Sequence, residues 1–242
     1  MAEYKSKYTK EELMVKFERG RQAIAKGVEF QQGFLREDGG YIWDGYGMVV
    51  AVLDTGLALD HEAFQDFAGW AEFYGSLTKE EVEAAELLSE GVYVSPKIPY
   101  AYDYADGDAD VTDVEGHGTH VSGSAVGMAG EIIYDEDRNI GLNITFSGAA
   151  PAAQLLSMKI FSDEGDGTSS DIYFYALEDA YSLGADVINM SIGAQNGFTY
   201  DDSLETEVFG NIYKRLCDAG VILSIAAGNE YAMANFSSVY EG

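Results

Sequence analysis

The chain has 242 residues and an apolar content of 47%, which suits one sizeable folded domain and argues against bulk disorder. Forty-two acidic residues against 14 basic ones give a formal net charge of −28, so nucleic acid is not expected as a partner. We expect a heavily solvated acidic surface and no transmembrane segment. The one cysteine, Cys217, excludes an internal disulfide and is expected to be a buried, inert thiol.

Residues 1–46 are expected to form a lead-in segment that contains a helix. Thr9 and Glu12 have the spacing of a capping box, and apolar residues recur at helical spacing over 9–26. The polar start, Met1 to Lys5, lacks the apolar stretch of an export signal. The chain is therefore expected either to begin after such a signal or to stay in the cytoplasm.

Strands alternate with helices over residues 47–242. Apolar runs predict strands at 48–53, 155–160, 187–192 and 221–226, and helical patterns cover 78–90, 171–183 and 202–219. Such alternation predicts βαβ crossovers and an α/β fold, with a parallel sheet between layers of helices. The helix over 78–90, from a Thr78–Glu81 capping box to Gly91, and the acidic stretch 103–115 are interpreted as an insertion.

The acidic stretch carries five closely spaced aspartates: Asp103, Asp106, Asp108, Asp110 and Asp113. Their spacing does not fit the calcium loop of an EF-hand, which requires glycine at its sixth position and glutamate at its twelfth. We therefore expect a solvated loop, with a structural calcium site as the alternative.

Polar clusters follow the ends of three predicted strands, where ligands gather in open α/β sheets. They are Asp54-Thr55-Gly56, Asn189 to Gly193, and Ala226 to Asn229; a fourth cluster, Gly116 to Gly123, holds two histidines among small residues. An aspartate at a strand end can hold an imidazole in one tautomer. An asparagine on a tight turn can direct its N–H at a developing oxyanion.

Each cluster also has a structural interpretation. Asp-Thr-Gly and Ala-Gly-Asn are common turn sequences. His117 and His120 could together ligate a metal, although no H-E-x-x-H pattern and no well-spaced third ligand accompany them. His61 is expected to be structural. The argument for function therefore depends on having all four clusters in this order.

Taken together, residues 50–56, 116–123 and 226–229 resemble the signature motifs of the subtilisin-like serine peptidases, the subtilases. Gly148 to Pro151 and Val187 to Gly193 are similar to further family segments, so the likeness runs from about 47 to 230. It implies a subtilisin-like three-layer αβα fold with a mainly parallel sheet. We expect residues 47–242 to form part of such a domain, incomplete at its C-terminal side.

The resemblance also implies roles for individual residues. Asp54 would orient His117, which would act as general base and then as general acid, whereas His120 would lie outside the triad. Asn229 would donate a hydrogen bond to the oxyanion. Ser191, Ile192 and Gly193 resemble the strand edge that pairs with an extended peptide substrate. No cofactor is implied for the chemistry.

The sequence departs from the family pattern because no Gly-Thr-Ser-Met-Ala motif for the nucleophilic serine occurs in it. Ser237 and Ser238 lack the accompanying glycine and are interpreted as loop residues. We therefore expect a serine endopeptidase to which this chain supplies the aspartate and the histidine of the triad. The chain alone is expected to be inactive. The alternative is a non-catalytic pseudo-peptidase that binds extended peptides.

Within the family, the acidic segment with Asp-Val-Thr-Asp at 110–113 most resembles the cell-envelope peptidases of Gram-positive bacteria. This resemblance implies a secreted or surface-associated enzyme that acts on polypeptides. Substrate preference and oligomeric state are not predicted.

Overall fold

The computed structural model describes residues 45, 47–65, 77–134, 140–165, 167–193 and 204–226. The chain divides into two compact units, Met1–Asp44 and Gly45–Gly242, and all the described residues belong to the second. The helix predicted over 9–26 and the predicted oxyanion residue Asn229 lie outside the described residues.

The described elements alternate between strands and helices. In chain order they are β1 (Val49–Asp54), a 3₁₀ turn (Glu62–Phe64), α1 (Lys79–Ala84), β2 (Tyr100–Asp103), α2 (His117–Val126), β3 (Met128–Tyr134), β4 (Ile140–Ser147), β5 (Gln154–Lys159), α3 (Ser170–Ser182), β6 (Val187–Met190), α4 (Leu204–Asp218) and β7 (Ile222–Ile225). Five strands form a parallel sheet in the order β2-β5-β1-β6-β7, and β3 pairs with β4 in an antiparallel hairpin.

The central strand β1 is buried on both faces, as its continuous apolar run predicts. Because successive side chains point to opposite faces, Val49, Ala51 and Leu53 join one core with residues of α3 and α4. Val50 and Val52 join a second core that includes residues of α2. Helices therefore cover both faces of a parallel sheet, and the predicted α/β class is confirmed.

Helix α1 is shorter than the predicted helix over 78–90. It begins as expected, since Thr78 and Glu81 form the reciprocal hydrogen bonds of a capping box, but it ends at Ala84. The reason is tertiary: the Leu88 N–H and the Ser89 hydroxyl donate hydrogen bonds to the buried carboxylate of Asp179 in α3. These bonds replace those of further helical turns.

Three strands were missing from the sequence interpretation. β2 is part of the central sheet, where it pairs with β5, so a core strand separates the two segments interpreted as an insertion, and Asp103 is its last residue. Its four residues are too few to give a periodic signal, and its partner strand lies more than 50 positions away. The hairpin of β3 and β4 was likewise not predicted.

The expectation of a buried Cys217 is wrong, because its side chain is exposed. The helical stripe of α4 buries Ile212 and Leu216, and Cys217 lies about 100° further round the helix. β7 forms one edge of the described sheet and leaves Ile222 61% and Ile225 45% exposed. In the described part of the chain, no helix is long and apolar enough to cross a membrane.

Candidate active site

Asp54 and His117 meet at the carboxyl end of β1, although 63 positions separate them in sequence. The Asp54 Oδ1 atom lies 2.6 Å from His117 Nδ1, a distance typical of a charge-assisted hydrogen bond. The Asp54 side chain is 2% exposed, whereas the His117 side chain is 50% exposed. A buried carboxylate therefore orients an imidazole whose other nitrogen remains available to a reactant.

The Asp54 carboxylate is held by its own backbone as well as by the imidazole. The Thr55 N–H donates a 2.8 Å hydrogen bond to Oδ1, the same oxygen that faces His117. The second oxygen, Oδ2, is buried and has no hydrogen-bond partner among the residues that the structure describes. Both described hydrogen bonds of the carboxylate therefore fall on Oδ1. The bond from Thr55 N holds this oxygen in place, and so fixes where the His117 imidazole binds.

Two glycines, Gly56 and Gly118, allow the backbone segments next to Asp54 and His117 to approach closely. Gly56 has φ +125°, and a Cβ atom there would lie 2.5 Å from the Val111 carbonyl oxygen. A Cβ atom on Gly118 would lie 2.3 Å from the Gly56 carbonyl oxygen. No larger residue fits either position without backbone movement. Gly56 therefore allows the loop before α2 to approach the turn after β1, and Gly118 allows α2 to approach the same turn.

Asp113 connects the two motifs and was not singled out from the sequence as a site residue. Its Oδ1 atom accepts hydrogen bonds from Thr55 Oγ1 at 2.8 Å and Gly116 N at 2.9 Å. Its Oδ2 atom accepts from Thr119 N at 2.8 Å and Thr119 Oγ1 at 2.6 Å. Gly116, the N-cap of α2, has no side chain to cap the helix. An uncapped helix start just after an aspartate was the available signal.

The predicted substrate edge lies beside this pair. Leu53 of β1 pairs with Met190 of β6, and Met190 pairs with Ile225 of β7. Ser191 and Ala226 therefore follow Asp54 along one carboxyl edge of the sheet. Ser191 and Ile192 are half-buried, Gly193 is exposed, and Asn189 Nδ2 donates to Ser191 Oγ at 2.9 Å.

A profile of the subtilase family matches residues 45–241. The chain belongs to the subtilase family. Its curated relatives include a PII-type proteinase of Lacticaseibacillus paracasei, 36% identical over 197 residues, with 78% of this chain and 10% of the relative covered. A C5a peptidase of Streptococcus pyogenes is 38% identical over 152 residues, with 62% of this chain and 12% of the relative covered. The predicted likeness to subtilases of Gram-positive bacteria is confirmed.

The chain spans about a tenth of the length of these curated relatives. Among solved structures, the epidermin leader peptide processing serine protease from Staphylococcus aureus has a TM-score of 0.50 and 18% identity to this subtilase, covering 83% of this chain and 43% of the other. This similarity supports the subtilisin-like fold.

The other two histidines of the subtilase chain line a separate pocket, and the described hydrogen bonds join neither of them to Asp54. His120 lines a pocket of about 390 Å³ with His61, Phe64 and Phe146. His61 caps the 3₁₀ turn through its Nδ1 atom, which accepts a hydrogen bond from Ala63 N. His61 thus has a structural contact, as predicted, and His120 does not compete with His117 for Asp54.

The expectation of a solvated acidic loop is wrong for Asp103 as well as for Asp113. Asp103 and Lys159 are both 1% exposed and form an ion pair at 3.2 Å, and Lys159 also binds Asp163. Burial lowers the pKa of Lys159, but hydrogen bonds to Asp163 and Asp103 outweigh it and raise the pKa above its ordinary value. Asp106, Asp108 and Asp110 are exposed.

The remaining carboxylates do not form a metal cage. Asp108 Oδ1 accepts a hydrogen bond from Asp110 N, and Asp110 Oδ1 accepts from Thr112 N and Thr112 Oγ1. Across the described ranges, no three acidic, histidine or cysteine side chains are grouped so that they could hold a metal ion.

Proposed function

We propose that this chain supplies the aspartate and the histidine of a serine endopeptidase that cleaves polypeptides. The observation that carries the proposal is the 2.6 Å contact between Asp54 Oδ1 and His117 Nδ1 at the carboxyl edge of a parallel sheet. Membership of the subtilase family supports the same chemistry. Since the sequence contains no Gly-Thr-Ser-Met-Ala motif, the nucleophilic serine in this proposal comes from outside these 242 residues.

The geometry suits His117 as the proton carrier. With Nδ1–H donating to Asp54, the Nε2 atom is the acceptor in neutral imidazole. It takes the serine proton as Oγ bonds to the substrate carbonyl carbon and an oxyanion forms. The imidazolium then gives the proton to the leaving amine as the C–N bond breaks. Water hydrolyses the acyl-enzyme by the same proton route.

The proposed substrate is an extended polypeptide. Ser191, Ile192 and Gly193 continue from β6 at the level of Asp54, so a strand-like peptide paired with them would lie next to His117. We propose Asn229 as the oxyanion donor because it is the asparagine of the Ala-Ala-Gly-Asn motif at 226–229.

The proposed location is outside the cell, either secreted or on the cell envelope. The relatives named above support it, since they are a proteinase and a peptidase of Gram-positive bacteria. Surface labelling of intact cells with an antibody against residues of this chain tests the location; signal only after lysis would contradict it.

The activity test uses two polypeptides: the 242-residue chain, and the same chain extended by any coding sequence that follows it. The chain alone is expected to show neither peptide turnover nor labelling by a fluorophosphonate, because removal of a triad member leaves only residual catalysis. The extended protein is expected to hydrolyse casein and to take up the label. His117→Ala in the extended protein should reduce kcat by about 10⁴-fold or more.

Two results would contradict the proposal. The first is turnover by the chain alone that a serine-directed inhibitor blocks. The second is an extension without a nucleophilic serine motif, which would favour the pseudo-peptidase. In that case, binding of an extended peptide at the 191–193 edge without cleavage is the expected behaviour. His120→Gln is the matched control, because His120 lies away from Asp54 and should retain turnover.

A further inference from the structure

We infer that Asp113 is a positioning residue that holds the Asp54–His117 pair in hydrogen-bonding geometry, an inference that rests on the proposed function of that pair. Asp113 touches neither side chain of the pair in the contacts described above. It acts through Gly116 and Gly118 on either side of His117 and through Thr55, which follows Asp54.

The Asp113 carboxylate is surrounded by four donors. Thr55 Oγ1 and Gly116 N donate to one oxygen, and Thr119 N and Thr119 Oγ1 donate to the other, at 2.6 to 2.9 Å. Burial raises the pKa of Asp113, but these hydrogen bonds outweigh it and hold the pKa below its ordinary value. The group is therefore ionised at neutral pH and accepts all four bonds.

These bonds fix the backbone on both sides of His117. Gly116, directly before it, donates to Asp113. Gly118, directly after it, donates to Thr55 Oγ1 at 2.8 Å, and that same hydroxyl donates to Asp113. Thr119, two positions after it, binds Asp113 through backbone and side chain. Only rotations within the His117 side chain remain free of this network.

The same network reaches Asp54 through Thr55. The Thr55 N–H donates to Asp54 Oδ1 while its hydroxyl binds Asp113, so one residue connects the two carboxylates. Thr119 Oγ1 extends the network to the following loop by accepting from Ala58 N at 2.9 Å. A shift of Asp113 would therefore move both partners of the pair.

Asp113 is itself anchored by the preceding backbone. The Val111 carbonyl accepts from Leu57 N at 2.7 Å, and the Thr112 carbonyl accepts from Lys159 Nζ at 3.1 Å. Lys159 is buried at the end of β5, beside Asp54 of β1 in the sheet register. The positioning residue is thus fixed to the rigid centre of the sheet.

The carboxylate cannot be replaced by a carboxamide of the same shape. The one oxygen of asparagine serves two of the four donors, and its NH₂ group would face the donors on the other side. If the NH₂ group faces Thr119, the Thr119 N–H loses its acceptor; if it faces Gly116, the Gly116 N–H does. Asp113→Asn therefore breaks the network while it preserves side-chain volume.

The test measures the Asp54–His117 hydrogen bond directly by NMR of the ¹⁵N-labelled 242-residue chain. The chain contains three histidines, and His61→Gln and His120→Gln assign the imidazole signals. In the unaltered chain we expect a downfield Nδ1 proton for His117, protected from solvent. In Asp113→Asn we expect its exchange to accelerate by about tenfold or more, the factor that corresponds to about 1.4 kcal/mol. Thr119→Val, which removes one donor to Asp113, should give a smaller increase.

Two controls separate positioning from general destabilisation. Asp110→Asn removes a charge from the same loop, where the Asp110 carboxylate accepts hydrogen bonds from Thr112, and should leave the His117 signal unchanged. Asp179→Asn disturbs a buried carboxylate that binds Leu88 and Ser89, and should lower stability without altering that signal. An unchanged His117 signal in folded Asp113→Asn would overturn the inference; should that variant not fold, an unchanged signal in Thr119→Val would do so. Absence of peptidase activity in the extended protein would contradict the proposed function and leave this result intact.

Discussion

At the scale of single residues, Asp54 combines the contact proposed for catalysis with an energetic cost. It is 1% exposed, and both described hydrogen bonds of its carboxylate fall on Oδ1, while Oδ2 is buried without a partner in the described part of the chain. A buried carboxylate with an unsatisfied oxygen opposes folding. Such groups persist at functional sites because the reaction requires them and the rest of the fold compensates.

Asp54→Asn is therefore expected to leave the free energy of unfolding unchanged or to raise it by about 1 kcal/mol. The amide oxygen can still accept from Thr55 N, and the half-exposed His117 is not left as a buried unpaired charge. With its oxygen in the Oδ1 position, the amide also accepts from His117 Nδ1–H, but the neutral group no longer stabilises the imidazolium, so the substitution would preserve stability and lose the proposed activity.

Asp179→Asn is the matched comparison, because Asp179 is also fully buried. Its carboxylate accepts hydrogen bonds from Leu88 N, Ser89 Oγ and Tyr104 Oη. Its removal should lower the free energy of unfolding by about 1–3 kcal/mol. Urea unfolding at pH 7 compares the two variants, and a loss of stability in Asp54→Asn equal to that in Asp179→Asn would contradict the expectation.

At the scale of elements, those formed by local sequence patterns were predicted well, and those that depend on contacts between distant residues were not. The long apolar run of β1 and the periodic pattern of α3 predicted both elements to within one residue at each end. Helix α1 was predicted too long because the Leu88 N–H donates its hydrogen bond to the Asp179 carboxylate, 91 positions away, and not to a helical carbonyl. Asp54 and His117 were predicted through motifs, whereas the role of Asp113 depends on Thr55, 58 positions away.

The segment between α1 and β2 contains a buried lysine with a predicted effect on pH dependence. Lys97 is 1% exposed and donates to the carbonyls of Pro151 at 2.7 Å and Ala153 at 2.6 Å. Burial lowers its pKa from 10.5 to about 7. Between these pH values the unfolded chain binds a proton that the folded chain has released, so stability should rise with pH by at most about 1.4 kcal/mol per unit.

Lys97→Met removes this contribution, and chemical unfolding at several pH values between 7 and 10.5 measures it. The difference in free energy of unfolding between the unaltered chain and the variant should grow with pH in favour of the unaltered chain. Lys79→Met is the control, since Lys79 is 58% exposed and its removal should leave the pH dependence unchanged. Parallel pH profiles for the unaltered chain and Lys97→Met would refute the assignment.

At the scale of the whole molecule, the net charge is −28, and the acidic residues fall into two groups, one buried or partly buried and one exposed. Asp54, Asp103, Asp113 and Asp179 are buried or partly buried, and each accepts defined hydrogen bonds. The exposed acidic residues contribute to solubility and to self-repulsion instead. Composition alone suggested a single solvated surface, and it could not separate these two groups because the difference lies in tertiary contacts.

The exposed aspartates Asp106, Asp108 and Asp110 provide the test of this separation. Because Asp108 and Asp110 already accept local hydrogen bonds and no third ligand faces them in the described ranges, we expect no calcium site in this loop. The test measures the Tm in CaCl₂ and the Tm in MgCl₂ at equal ionic strength. The difference between these two Tm values should be the same in the unaltered chain and in the variant with all three aspartates replaced by asparagine. In both salts the variant should be slightly more stable than the unaltered chain, since like charges are removed. A saturable calcium-specific shift that the triple variant loses would show that the loop binds calcium.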